Sequence, residues 1–189
     1  VDIGKENDWY RYLLTCIDCF SKYAWVVPVK TKSAIDMVAA FNTLFSEATP
    51  RKPDRIQSDK GLEFLNCKVK WLLKSKSISL FQTESEFKAA MVERFNRTLK
   101  TKIWKYFTAN NTHRCLEVLP DLVHSNNHSF HRAIGMRLGD VKRKEKEKIF
   151  AKLYSSNLAQ SMPVKRPHNI DEQVRISKVK RVFDKGYLP

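Results

Sequence analysis

Residues 12–29 read "YLLTCIDCFSKYAWVVPV": two runs rich in aliphatic, aromatic and β-branched residues, separated by the four-residue "CFSK". That composition and spacing predict an antiparallel hairpin, Tyr12 to Asp18 and Tyr23 to Val29. Asp18 ends the first strand and reads as a turn-capping residue whose carboxylate accepts from the "CFSK" backbone. Downstream, "TKSAIDMVAAFNTLFSEA" opens with a Ser33 cap and places Ile35, Val38, Phe41 and Phe45 at helical spacing. "RKPDRIQS" is a basic turn into a short strand that ends at Asp59. "LNCKVKWLLKSKS" reads as a second helix and "ISLFQT" as a returning strand. Residues 89–107, "AAMVERFNRTLKTKIWKYF", form a long helix with Met91, Phe95, Leu99 and Ile103 on its apolar stripe. "HRCLEVLPDLVHSNNHSF" adds one or two more helices. A hairpin followed by alternating helices and strands predicts an α/β sandwich with a mixed sheet.

Composition narrows the partners. The 189 residues carry 35 Lys and Arg against 20 Asp and Glu, a net charge of +15, which points to a polyanion and above all to nucleic acid. No apolar run is long enough to span a membrane, so a membrane partner is not expected. The four cysteines, Cys16, Cys19, Cys67 and Cys115, are scattered and expected to be reduced. Cys16 and Cys19 have a zinc-like spacing, but positions i and i+3 of a strand face opposite ways, which disfavours a shared metal. His113, His124, His128 and His131 lack a paired cysteine motif and read as ordinary surface or core histidines. Residues 140–189 carry 13 Lys and Arg against 6 Asp and Glu. Within them a charge-dense run is followed by a Pro163 and Pro167 linker and then by "QVRISKVKRVF", which alternates like a strand pair.

The chemistry centres on "IQSDKGLEF", residues 56–64. A strand there ends on a bare carboxylate, Asp59, followed at once by the turn dipeptide Lys60 and Gly61. On the long helix, Glu93 is followed by Arg97 and Lys100 at i+4 and i+7, so the three share a face. Such a row also describes a solvated, ion-paired surface. Yet a strand-end aspartate and a helix glutamate docked on the same sheet can converge, and two carboxylates suit a hard cation such as Mg²⁺.

The ordered segments "YLLTCIDCFSKYAW", "QSDKGLEF" and "VERFNRTLK" resemble the catalytic core of the retroviral and retrotransposon integrase superfamily. The wording is closest to integrases of Polinton (Maverick) elements, which "ERFNRTLKTKIWKYF", "NTHRCLEVLPDLVHSNN" and "HRAIGM" also resemble. The resemblance implies a ribonuclease-H-like fold with a mixed five-stranded sheet and helices on both faces. It implies a catalytic core over residues 1–142, a charged helix and linker over 143–165, and the start of a small SH3-like β unit over 166–189. It also implies an Asp, Asp, Glu triad that holds two Mg²⁺ or Mn²⁺ ions. Asp59 matches its second aspartate, Glu93 its glutamate, and Glu63 with Phe64 the acidic and aromatic pair closing the second motif. Arg97 and Lys100 match helix positions that track DNA ends; Lys60, Lys88 and Arg94 complete the expected DNA-binding set. Lys60 stands where many relatives have asparagine. For the first aspartate, Asp18 lies three or four residues too far along its strand to share the metals. Asp2 in "VDI" is the better candidate, although relatives often carry two aspartates three apart there, and the earlier would precede Val1.

The activity so implied is metal-dependent DNA 3′-end processing and strand transfer, by a nuclear homo-oligomer acting on element ends and target DNA, without a small-molecule substrate. Two other readings stand beside it: a domesticated integrase that only binds DNA, and a hydrolytic ribonuclease on the same fold.

Overall fold

The computed structural model describes residues 3–59, 61–82 and 90–159, with side chains described as far as Leu153. The chain divides into two units, Val1–Leu153 and Tyr154–Pro189. Of the second, only backbone at the end of one helix falls among the described residues, so the expected SH3-like unit lies outside them.

Strands β1 (Tyr12–Ile17) and β2 (Ala24–Val29) form the expected hairpin, in a register running from Tyr12 opposite Val29 to Ile17 opposite Ala24. Asp18 closes it as the sequence suggests. Its carboxylate accepts from the backbone N–H of Phe20 and of Ser21, both at 3.1 Å, and from the Ser21 hydroxyl. Lys22 takes a left-handed conformation (φ 61°) to complete the turn.

β2 is buried on both faces, which is why it reads as a continuous apolar run rather than as an alternation. Trp25, Val27 and Val29 pack with α1 (Ala34–Glu47) and α3 (Cys67–Ser75), while Ala24 and Val26 face α4 (Ala90–Asn110) and α5 (Leu119–Asn127). Helices on both faces follow from that parity.

Ser33 caps α1 as expected, accepting from the Asp36 N–H at 3.2 Å. The buried stripe, however, is Met37, Ala40, Phe41 and Leu44, and Ile35 is 68% exposed. Val38 and Phe45 flank the core instead of centring it. Two interleaved apolar rows satisfy the same period, and the sheet selects the row containing the small Ala40, which lets the helix approach. In α4 the stripe is shifted one turn: Phe95, Leu99, Ile103 and Phe107 are buried, and Met91 is exposed beside the Lys22 ammonium at the hairpin tip.

β3 (Arg55–Ser58) and β4 (Ser79–Gln82) pair in parallel, with Ser58 opposite Gln82. The helix expected over residues 65–77 is α3 (Cys67–Ser75), and a short helix, α2 (Leu62–Leu65), precedes it. Asn66 divides them: its backbone is extended, and its side chain caps α3 by accepting from the Val69 N–H at 2.8 Å. β5 (Phe130–His131) and β6 (Met136–Arg137) form a short antiparallel pair. Among the described residues the ladders are these three pairs, mixed in sense, and a continuous five-stranded sheet is not traced. α6 (Lys146–Ala159) opens the charged tail. Its Ile149 packs with Ile134, Leu138 and Val141.

Two buried asparagines tie distant segments together. Asn127 accepts from the Ala24 N–H (2.9 Å) and donates to the Ala24 carbonyl (2.8 Å), acting for the edge of β2 as another strand would. Asn7 donates to the carbonyls of Ile3 (2.9 Å) and His113 (2.7 Å) and accepts from the Cys115 N–H (2.7 Å).

Asn127→Ala is expected to lower the unfolding free energy by about 3 kcal/mol, because it strands a buried donor and a buried acceptor. Ile35→Ala should change it by less than about 0.5 kcal/mol. Urea unfolding of both variants checks this, and equal losses would contradict the assignment of the clasp.

Candidate active site

Parallel pairing of β3 with β4 sets where the chain must turn. Asp59 follows directly on β3, and Gln82 at the end of β4 donates to the Asp59 carbonyl at 3.2 Å, fixing the backbone there. The Asp59 Oδ1 accepts from the Gly61 N–H at 3.2 Å, an Asx-type turn. Gly61 has an ordinary backbone conformation (φ −59°), so its lack of a side chain serves space. A Cβ there would sit 2.7 Å from Glu63 Oε2 and 3.1 Å from Asp59 Oδ1. The Asp59 and Glu63 carboxylates therefore crowd one point above the Gly61 backbone.

Like charges so placed need a counter-charge. Lys32, which follows β2, donates to Glu63 Oε1 at 2.8 Å and lies over the Tyr12 ring, 5.4 Å from its centroid. The hydrogen bond from Lys32 holds the Glu63 carboxyl below the usual carboxylate range. Glu63 is thereby neutralised locally, and Asp59 is left as the open carboxylate of the pair. Phe64 anchors the turn from below, edge-on to Phe41 at 6.3 Å. Nothing in the sequence singles out Lys32, because its partner lies 31 residues away and is reached only through the fold.

Glu93 lies in the first turn of α4, on the exposed side opposite the Phe95, Leu99, Ile103 stripe. Arg97 and Lys100 are exposed on the same side. Arg94 is turned about 100° from Glu93 by helix geometry. Its charge, with that of Lys22, adds to burial in pushing the His131 imidazole below its ordinary value. Arg94 thus belongs to the flank of the expected DNA-binding row. Asp2, Lys60 and Lys88 lie outside the described residues. Among the described residues no group of three His, Cys, Asp or Glu side chains is close enough to hold a metal.

Cys16 lies on β1, while Cys19 falls in the turn after it and not on the strand. Cys16 packs beside the core with its thiol pushed up to about 11, chiefly by burial, so it keeps its proton. Cys19 is exposed in the turn. His124 and His128 stack on each other at 3.8 Å, with His128 Nδ1 2.9 Å from the His124 carbonyl, a local helix-end contact.

Residues 1–86 match the integrase core domain family. A transposon-derived protein of Caenorhabditis elegans is 37% identical over 186 residues, covering 97% of this chain and 60% of that protein. The retrovirus-related Pol polyprotein from transposon 297 of Drosophila melanogaster is 28% identical over 103 residues, covering 54% of this chain and 9% of the polyprotein. The chain thus spans less than two thirds of the length of either relative. Among solved structures, the HTLV-2 integrase catalytic core domain in complex with magnesium superimposes with a TM-score of 0.60 at 21% identity, covering 68% of this chain and 82% of that one. A chain of the simian T-cell lymphotropic virus intasome in complex with PP2A regulatory subunit B56 gamma gives 0.62 at 18% identity, covering 88% and 54%. At those identities the likeness establishes the fold, that of the ribonuclease-H-like integrase cores. Over residues 1–86 the chain is thus similar to the integrase core domain family, and its fold is that of the integrase catalytic cores.

Proposed function

We propose that this chain is the catalytic core of a mobile-element integrase, one that trims DNA 3′ ends and joins them to target DNA. The observation that carries the reading is the Asp59 carboxylate, set at the carboxyl end of a parallel strand, turned outward over Gly61 and relieved of its acidic neighbour by Lys32. Glu93 supplies a second open carboxylate, at the start of α4.

Both are hard oxygen donors, and Asp59 keeps acceptor capacity beyond its one bond to Gly61, so the donor set fits Mg²⁺ or Mn²⁺. Asp59 and Glu93 would hold the metals, together with Asp2 or an aspartate preceding Val1. When bound, a metal pair activates the attacking oxygen and stabilises the leaving one. This chain's own groups do the rest. Arg97 and Lys100 hold phosphates in line with Glu93, and the Asp59 turn keeps its carboxylate at a fixed height above the sheet edge. Water as the attacking group gives end trimming; a DNA 3′ hydroxyl gives strand transfer. The C. elegans relative, transposon-derived, supports a mobile-element source, and we read the element as of Polinton type on the wording of residues 93–107. Joining to chromosomal DNA requires the protein to act in the nucleus. Concerted joining of two ends makes it a homo-oligomer, as the trimeric and dimeric forms of the HTLV-2 core are.

Asp59→Asn and Glu93→Gln are each expected to reduce metal-dependent joining of a labelled oligonucleotide into plasmid by orders of magnitude, with the fold and DNA binding nearly intact. Asp18→Asn should keep that activity while losing about 1 kcal/mol of stability, since it only caps a turn. Wild-type joining by the Asp59 or Glu93 variant would remove the triad assignment. Alanine at Arg97 or Lys100 should weaken binding at all sequences and lower the salt slope by about 1 for each phosphate no longer neutralised. A chain that retains this slope yet never joins ends is a DNA-binding module instead.

A further inference from the structure

The outward face of α4 continues beyond Lys100. At 3.6 residues per turn, Glu93, Arg97, Lys100 and Trp104 fall on nearly one line, opposite the buried Phe95, Leu99, Ile103 and Phe107. An open groove of about 630 Å³ runs along this line, lined by Arg97, Lys100, Thr101, Trp104, Lys105 and Thr108. Among the described residues no carboxylate pairs with Arg97, Lys100 or Lys105. The groove is therefore an uncompensated cationic strip with one large aromatic in it.

Trp104 is 46% exposed, yet it is fixed in place. Phe107 meets it edge-to-face at 5.6 Å and His113 at 6.5 Å, so its orientation is set before any partner arrives. A rigid, half-exposed indole between lysines has the properties of a base-stacking platform: the ammonium groups hold a backbone and the ring takes a base face. A protein partner would leave the three cations facing an interface in need of matching acids, whereas a DNA strand supplies the phosphates itself.

We propose that Trp104, flanked by Lys100 and Lys105, stacks an unpaired base of a DNA strand whose phosphates run along α4 toward Glu93. The inference rests on the reading of this chain as an enzyme of DNA, and it adds a site of interaction about 16 Å from Glu93, at about 1.5 Å per residue. A duplex base pair has no free face at that point. The site therefore selects a strand that is frayed or single, as a processed end is.

The test is binding of a single-stranded DNA oligonucleotide and of a blunt hairpin duplex of the same composition, measured by fluorescence anisotropy. Wild type, Trp104→Ala, Trp104→Phe and Ile35→Ala are compared, and urea unfolding confirms that each is folded. Trp104→Ala should weaken single-strand binding about tenfold and duplex binding less than about twofold. Trp104→Phe should remain within about threefold of wild type, because the ring is kept. Ile35→Ala, on the exposed side of α1, should bind as wild type does. Equal binding of the single strand by wild type and Trp104→Ala overturns the proposal, as does an equal loss on both DNAs. A change in sedimentation of Trp104→Ala with unchanged DNA binding also overturns it, in favour of an interface between copies. Failure of the wild type to join ends, with the tenfold effect present, removes the catalytic reading and leaves the stacking site standing.

Discussion

The candidate site depends on how α4 docks. Its buried row, Phe95, Leu99, Ile103 and Phe107, packs against Ala24, Leu13, Ile17 and Val26 of the hairpin, and that burial fixes the rotation of the helix about its axis. A slip of one residue would turn every side chain by about 100°. Glu93, Arg97 and Lys100 face outward because the opposite row faces inward. Packing free energy, spread over four large side chains, is thus what holds the functional face in position.

The hairpin can serve as that platform because β2 is buried on both faces. Its side chains alternate between two cores, its backbone pairs with β1, and Asn127 closes the ladder at Ala24. The same helix that carries Asn127, α5, also lies against α4 through Leu119, Leu122 and Val123. One buried amide therefore links the edge of the sheet to the helix that braces the functional face. The strong basic surplus is kept away from these cores, and α4 carries its share on the side that faces solvent.

Much of this is legible in the sequence, for identifiable reasons. The hairpin is dictated by local composition, the Ser33 cap by hydrogen-bond chemistry, and the Asp18 turn by the reach of a short carboxylate. The strand-end position of Asp59 follows from the apolar run before it and the Gly61 turn after it. What the sequence does not disclose is long-range or degenerate. Lys32 reaches Glu63, and Asn7 and Asn127 reach backbone more than a hundred residues away, so no local pattern marks them. The α1 stripe differs from the expected one because two rows of apolar residues share the helical period, and only the packed sheet selects between them. Asn66 falls inside the helix that periodicity predicts, although its side chain is a natural cap, and the extended backbone there divides α2 from α3.

The central claim is that Asp59 and Glu93 share one cation site at the sheet edge. Paramagnetic broadening of backbone amide signals by Mn²⁺ tests it without requiring turnover. The account predicts that substoichiometric Mn²⁺ selectively broadens the amides of Gly61 and of the first turn of α4 together, and that Asp59→Asn or Glu93→Gln abolishes both effects. Broadening of one segment without the other, or persistence of both in the Asp59→Asn protein, would contradict it.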